Sequence, residues 1–416
     1  MTTGMRSRPI SPLRQRDFGL VWTSSLISDT GDWLLMIALP LYVFAITGSA
    51  LGASTVFLAE LLPVLLFGSA LGVIVDRFDH RRTMIVVNLV QGLALLPLLL
   101  ASADRLWVVY TVAAIEAVLA AAFNPAKQSL LPQLVSADRL GTANSLMAVS
   151  DNIARLVGSP LGGLVFATAG LSGVVILDAA SYLVSAVLVM LSRRRPPGPA
   201  ADTPAAGFFR QLTDGWSTIR RTKPLAAILA IECVAAVAQG VFLVLFVVYV
   251  VSVLRASDAE VGLLRGVQAI GGILGGLLVG ILIRRLSTRV LVGYGFLLFG
   301  ALALVTWNFS PISTASAFYV GFFIAMGIPG VATMAGLITI VQTVSPPNAI
   351  GRVIATMQTA MQAAQGIGLL AAGLLADRFG VVAVLDGQAT LYLVCGVLAL
   401  VLLRVAIPLR DDPSTG

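Results

Sequence analysis

Charge is what this chain of 416 residues has least of: Asp, Glu, Lys and Arg make up 11% of it, against roughly 25% in soluble domains. Apolar residues reach 58%, above the roughly 45–50% of water-soluble folds. Such a chain cannot hide its hydrophobic surface in one aqueous core, so the solvent for much of it must be lipid. Histidine occurs once, as His80 in a loop, which excludes a histidine proton relay through a membrane and an H-E-x-x-H metal site. The two cysteines, Cys233 and Cys395, lie inside apolar runs and read as small packing residues without a disulfide framework. With no G-x-S-x-G and no phosphate loop, nothing points to a membrane enzyme, and no cofactor or metal is expected. The longest hydrophilic stretch, Arg193 to Lys223, leaves no room for the soluble output domain of a receptor. The net charge of +7 does not imply nucleic acid, because the bases sit in short loops between apolar runs and not on one soluble face.

What is present is a succession of apolar runs. At about 20 residues per bilayer crossing, they divide into twelve segments near 19–46, 51–75, 83–101, 106–126, 144–168, 173–192, 225–252, 260–283, 290–309, 315–341, 353–376 and 382–405. Met1 to Arg16 is polar and basic, and the run that follows is too long for the apolar region of a cleavable signal. Placing the N-terminus inside puts 22 of the 27 Lys and Arg residues on the cytoplasmic side, Lys127 among them. Only Arg105, Arg255 and Arg378 fall opposite, and Arg155 and Arg265 fall within spans. Cytoplasmic loops carry the excess of Lys and Arg, so both termini are expected in the cytoplasm.

The fold expected is therefore an all-α membrane protein of twelve transmembrane helices, with one six-helix half at 1–192, a linker at 193–224 and a second half at 225–416. The linker opens with Arg-Arg-Arg-Pro-Pro-Gly-Pro and then places Phe208, Phe209, Leu212, Trp216 and Ile219 at near-helical spacing. That is the pattern of a short helix lying in the interface plane; a partner-docking helix is the other reading. The halves echo each other: a shift of 210 lays Gly141, Met147, Gly158, Gly163 and Gly170 onto Gly351, Met357, Gly368, Gly373 and Gly380. Repeated halves with a midplane binding site are a transporter architecture. Gly271-Gly272 and Gly275-Gly276 have no strand before them and no Lys-Ser/Thr after them, so they read as small residues for close helix packing.

The second apolar run ends in Gly72-Val-Ile-Val-Asp76-Arg77-Phe-Asp79-His80-Arg81-Arg82. This resembles the signature loop between helices two and three of the major facilitator superfamily, roughly G-x-x-x-D-R/K-x-G-x-R/K-R/K. Gly72, Asp76, Arg77, Arg81 and Arg82 match, and Asp79 stands where most of the superfamily has glycine. The resemblance implies a cytoplasmic gating loop in which Asp76 caps the start of the eleventh span or pairs locally with Arg77 or Arg81, while Arg77 and Arg81 hold acids or lipid phosphates. Gly158-Ser159-Pro160-Leu161-Gly162-Gly163 on the fifth span resembles the G-P-x-x-G-G motif of the antiporter branch, with the proline one position later. Leu13-Arg-Gln-Arg-Asp-Phe18, Gly31-Asp32-Trp33 and Phe123-Asn-Pro125-Ala126 are similar to the bacterial group of macrolide, multidrug and siderophore exporters.

Ionisable groups at membrane depth are costly and mark function by default. Here they are Asp29, Asp32, Glu60, Glu116, Asp151, Arg155, Asp178, Glu232 and Arg265. Asp29 and Asp32 share a helix face, and at about 1.5 Å per residue from Phe18 they lie near mid-depth. Two carboxylates so close in low dielectric would not both stay ionised, which is the property a proton carrier needs. A bond to a neighbouring helix is the plain structural alternative. Glu116 has no base within a helical turn and is the first single acid to consider for proton or substrate binding. Asp151 and Arg155, at i and i+4, are expected to form an ion pair. Glu60, Asp178 and Glu232 fall nearer the span ends, within reach of water.

With the resemblance, these readings point to a secondary active transporter. It would export small amphipathic, drug-like or antibiotic-like compounds across the cytoplasmic membrane by proton antiport, as a monomer whose partners are its substrate, protons and lipid. Export of a siderophore or other metabolite, or import of a nutrient, on the same fold is the alternative.

Overall fold

The computed structural model describes residues 12–75, 78–193, 208–282, 286–347 and 349–406. Among them every regular element is helical: α1 (Arg16–Thr47), α2 (Ala50–Val75), α3 (His80–Ala94), α4 (Leu106–Leu134), α5 (Leu140–Leu191), α6 (Phe208–Arg221), α7 (Lys223–Val248), α8 (Asp258–Leu282), α9 (Thr288–Asn308), α10 (Ser316–Val344), α11 (Ile350–Phe379) and α12 (Val381–Ala406). Eleven helical stretches among the described residues are long and apolar enough to cross a membrane.

Local chemistry explains where these helices stop. Gly48, at φ +63°, ends α1, and the Ser49 hydroxyl accepts from the amides of Leu51 (3.2 Å) and Gly52 (3.4 Å) to open α2. Asp79 caps α3, its carboxylate accepting from the Arg82 amide at 2.9 Å. The acid at this signature-loop position thus satisfies a free helix-end donor that glycine would leave to water. Asp76 and Arg77 lie outside the described residues. The 52 residues of α5 would run about 78 Å if straight, more than twice the hydrocarbon thickness of about 30 Å. Gly170 interrupts them at φ 64°, ψ −166°, a conformation open to glycine and strained for other residues. The break lies between the two spans expected at 144–168 and 173–192.

By packing, the chain forms two compact units, one of residues 1–38 and 62–204 and the other of 39–61 and 205–416. The core of the first unites Phe18, Met84, Phe123, Leu130, Leu134 and Val189 from α1, α3, α4 and α5. Its glycines bring α1 and α5 into contact. A Cβ on Gly158 would lie 2.5 Å from the Thr30 carbonyl oxygen, and one on Gly162 would lie 2.7 Å from the Leu34 Cα. Arg81 is held by the end of α5: Nη2 donates to the Met190 carbonyl at 2.6 Å and Nε to that of Val189 at 3.2 Å. The terminal carbonyls of a helix carry partial negative charge, which suits the guanidinium of Arg81.

In the second unit the same close packing recurs. A Cβ on Gly271 would overlap the Ile324 carbonyl, and one on Gly327 would lie 2.8 Å from the Gly271 Cα. Glycine is there because the α8 and α10 backbones nearly touch. Helix α6 rests on the start of α11 through Asp214 and Arg352, 3.3 Å apart. Ile219 is buried and Trp216 is 42% exposed, with Arg220 5.4 Å over its ring. The side chains of Phe208, Phe209 and Leu212 lie outside the described residues.

Candidate functional site

The acids of the first unit converge on α1. Tyr182, on the second part of α5, is 3% exposed and donates its phenol to Asp32 Oδ1 in a short hydrogen bond. The same hydroxyl lies 3.5 Å from Glu116 Oε2 and accepts from Gln91 Nε2 at 3.0 Å. A phenol has one proton, so its contacts with the two carboxylates cannot both be full donor bonds at once. Asp32 and Glu116, on α1 and α4, are therefore joined by a single hydroxyl whose position is set from α3. Glu116 is 8% exposed, and its Oε1 has no hydrogen-bond partner.

Asp178 lies one helical turn before Tyr182 and is fully buried. The Ser181 hydroxyl donates to its Oδ1 at 3.2 Å, while Oδ2 has no partner. This acid was expected near a span end within reach of water; instead it presses on the backbone of α1. A side chain at position 31 would collide with Asp178 and Ser181, which accounts for glycine in Gly31-Asp32-Trp33. Asp29, one turn from Asp32, pairs with Lys127 Nζ at 3.4 Å, both side chains about 15% exposed. Lys127 was expected in a cytoplasmic loop. It stands within α4, which continues through Pro125 and Pro132 to Leu134.

The expected Asp151–Arg155 ion pair is not made. Arg155 Nη2 donates to Asn152 Oδ1 at 3.4 Å, and its guanidinium lies 5.8 Å over the Trp33 ring. On one helix an i, i+4 spacing permits contact, but here the Arg155 side chain turns to Asn152 and to the Trp33 face on α1. Ser159, Gly158, Gly162 and Gly163 are buried on the side of α5 that includes the contact with α1, with Pro160 half-buried. Gly72 lies in the last turns of α2, and Arg82 is exposed at the start of α3. Glu60 belongs to the second unit.

The arrangement gathers four carboxyls about α1, Asp29, Asp32, Glu116 and Asp178, with one contacting ammonium group, that of Lys127. Among its polar contacts, the Tyr182 hydroxyl can donate its own proton while accepting another, and the Gln91 amide donates to it. Tyr182 and Gln91 could not be found from sequence pattern, since a tyrosine inside an apolar run is ordinarily a packing residue.

Fold and site together define a multi-pass membrane transporter of the major facilitator type. The chain belongs to the family described as transmembrane secretion effectors, whose pattern matches residues 7–414. It is 29% identical over 407 residues to the multidrug efflux pump Tap of Mycolicibacterium fortuitum, covering 93% of this chain and 95% of that one. It is 24% identical over 370 residues to the macrolide efflux protein A of Streptococcus pyogenes, covering 88% and 90%. Among solved structures it is similar to a bacterial homologue of the iron transporter ferroportin in an inward-facing state, with TM-score 0.73, 18% identity and coverage of 93% and 98%. Among the described residues, no group of three or more His, Cys, Asp or Glu could hold a metal ion.

Proposed function

We propose that this chain exports small amphipathic, drug-like compounds across the cytoplasmic membrane in exchange for protons, by alternating access. Counting the two parts of α5 separately, it crosses the membrane twelve times, as six-helix halves at 1–192 and 225–416 joined by 193–224, with both termini in the cytoplasm. It works as a monomer. The observation that carries the reading is the chain Asp32–Tyr182–Glu116, with Asp178 at its side. Burial of several carboxylates without an equal number of bases is unfavourable unless protons fill the deficit. Protons entering from outside load this group and leave it toward the cytoplasm. The Tyr182 hydroxyl hands a proton between Asp32 and Glu116 without any backbone movement. Asp29 releases Lys127 when it is protonated, so a proton alters the α1–α4 contact directly. A neutral or cationic cargo suits a site so rich in acids.

The names of the efflux relatives support the direction of transport, and the acid cluster supports the coupling ion. The test uses everted vesicles from cells that express the chain and are energised with a pH gradient. Export in the cell appears there as accumulation of a fluorescent cationic dye, collapsing when nigericin removes the gradient. Uptake that persists after nigericin, or dye release on energisation, contradicts proton-driven export.

A further inference from the structure

Beside the acid cluster the first unit buries a second set of polar side chains. Asn88 on α3 is fully buried, and neither atom of its amide has a hydrogen-bond partner. Orphaned polar atoms at such depth are costly and call for an occupant. Asn88 lies about one turn before Gln91, which donates to Tyr182, and before Gly92, whose Cβ would lie 3.3 Å from the Ala179 carbonyl oxygen. At the start of α3, Arg81 reaches the Val189 and Met190 carbonyls. The two helices therefore run antiparallel, and Asn88 comes level with Ser185. There Ser185 and Ser24 of α1, both fully buried, put their hydroxyls 2.6 Å apart. The hydroxyl of Ser25 is buried beside them on α1 without a partner. One turn further on, each helix carries an apolar residue: Val21, Met84 and Val189, all at most 2% exposed and joined in one core. Beyond that layer all three turn polar again. Asp17 accepts from the Arg193 amide at 3.0 Å, and Arg81 Nε donates to Ser192 Oγ at 3.3 Å.

We propose that the seam between α1, α3 and the second part of α5 is the path by which protons leave the Asp32–Tyr182–Glu116 group, with Asn88 holding water beside Ser24 and Ser185 and the Val21–Met84–Val189 layer as its gate. A buried water makes about three hydrogen bonds to polar groups that would otherwise stay unsatisfied, and the Asn88 amide offers both a donor and an acceptor. Each water or serine hydroxyl along the seam accepts one proton and releases another, so none keeps a charge. Asn88 itself stays neutral and orients the water, which makes it a positioning residue. An apolar constriction of one turn stops such a file while it is dry and passes it when wetted. The proposal rests on the proton-antiport reading and adds the exit route. The path runs inside the first unit alone, toward the end of each helix that the proposed topology places in the cytoplasm.

The test opens and closes the path separately, in proteoliposomes of the full chain that trap a pH-sensitive dye. With no substrate present, the unaltered chain should hold an imposed pH gradient. Met84→Asn, which places an amide in the apolar layer, should let the gradient decay several times faster. Adding Asn88→Leu to that variant should restore the tight state. Asn88→Leu alone removes an unpaired buried amide, a change that is nearly neutral or stabilising for the fold. It should slow proton-driven efflux by about tenfold, the loss of one hydrogen bond to the relayed water, and leave substrate exchange at equal pH unchanged. A tight Met84→Asn variant, a leak that survives Asn88→Leu, or wild-type efflux by Asn88→Leu overturns the proposal. If Met84→Asn does not fold, the efflux and exchange rates of Asn88→Leu decide alone. The leak needs no substrate, so a leak that depends on Asn88 would stand even if export proved not to be proton-driven. Proton-driven export with no effect of Asn88→Leu would remove the seam and leave the antiport reading intact.

Discussion

Replacing Tyr182 with Phe isolates the hydroxyl that joins Asp32 to Glu116. The ring keeps its place in the buried wall of α5, so no large cavity opens. What goes is the donor bond to Asp32, the 3.5 Å contact with Glu116 and the acceptor for Gln91. A hydrogen bond to a charged group is worth about 1.5–3 kcal/mol, and about 1.4 kcal/mol is a factor of ten. If the hydroxyl carries the proton between the two acids, proton-driven efflux should fall by roughly 10- to 150-fold. Exchange of labelled for unlabelled substrate at equal pH needs the rocking of the protein but no net proton movement, and should fall by less than about threefold. Both rates are read in proteoliposomes containing the same preparation. Equal losses in the two assays would mean that Tyr182 merely supports the fold, and wild-type efflux in the Phe variant would refute the relay.

Three further outcomes follow from the packing and the caps. Gly158→Leu or Gly162→Leu should cripple transport by driving α1 away from α5, whereas Ser159→Ala should be mild; full activity of both leucine variants would contradict the close contact. Lys127→Met should destabilise the purified protein by leaving Asp29 without its base, and adding Asp29→Asn should restore much of the loss, because a lone buried charge is costlier than none; a thermal melt of the three variants reads this directly. Asp79→Ala should lower stability by about 0.5–2 kcal/mol and Asp79→Gly by only a few tenths, with the denaturation midpoint as the readout.

The helical architecture was legible in the sequence because lipid admits few alternatives: runs of about 20 apolar residues satisfy their own backbone only as helices. The break at Gly170 was legible too, from the gap between two spans. The site was only half legible. Asp29, Asp32 and Glu116 stand out simply as acids in apolar runs. Asp178 was assigned to water because distance along a helix does not reveal the face, and its face is the one pressed on Gly31. Lys127 was assigned to a loop because Asn124-Pro125 reads as the end of a span, yet α4 runs through both prolines. The Asp151–Arg155 pair failed for a related reason: spacing within one helix sets which contacts are available, while the Trp33 ring on another helix helps decide which Arg155 makes.

Proton antiport by this chain requires that the acids of the first unit carry the proton. The most direct measurement follows substrate efflux and internal acidification or alkalinisation together in proteoliposomes under an imposed pH gradient. The unaltered chain is compared with Asp29→Asn, Asp32→Asn and Glu116→Gln. Coupled fluxes are expected for the unaltered chain, and in at least one variant the loss of proton movement and driven efflux while substrate exchange survives. Wild-type coupled transport in all three single variants would contradict it.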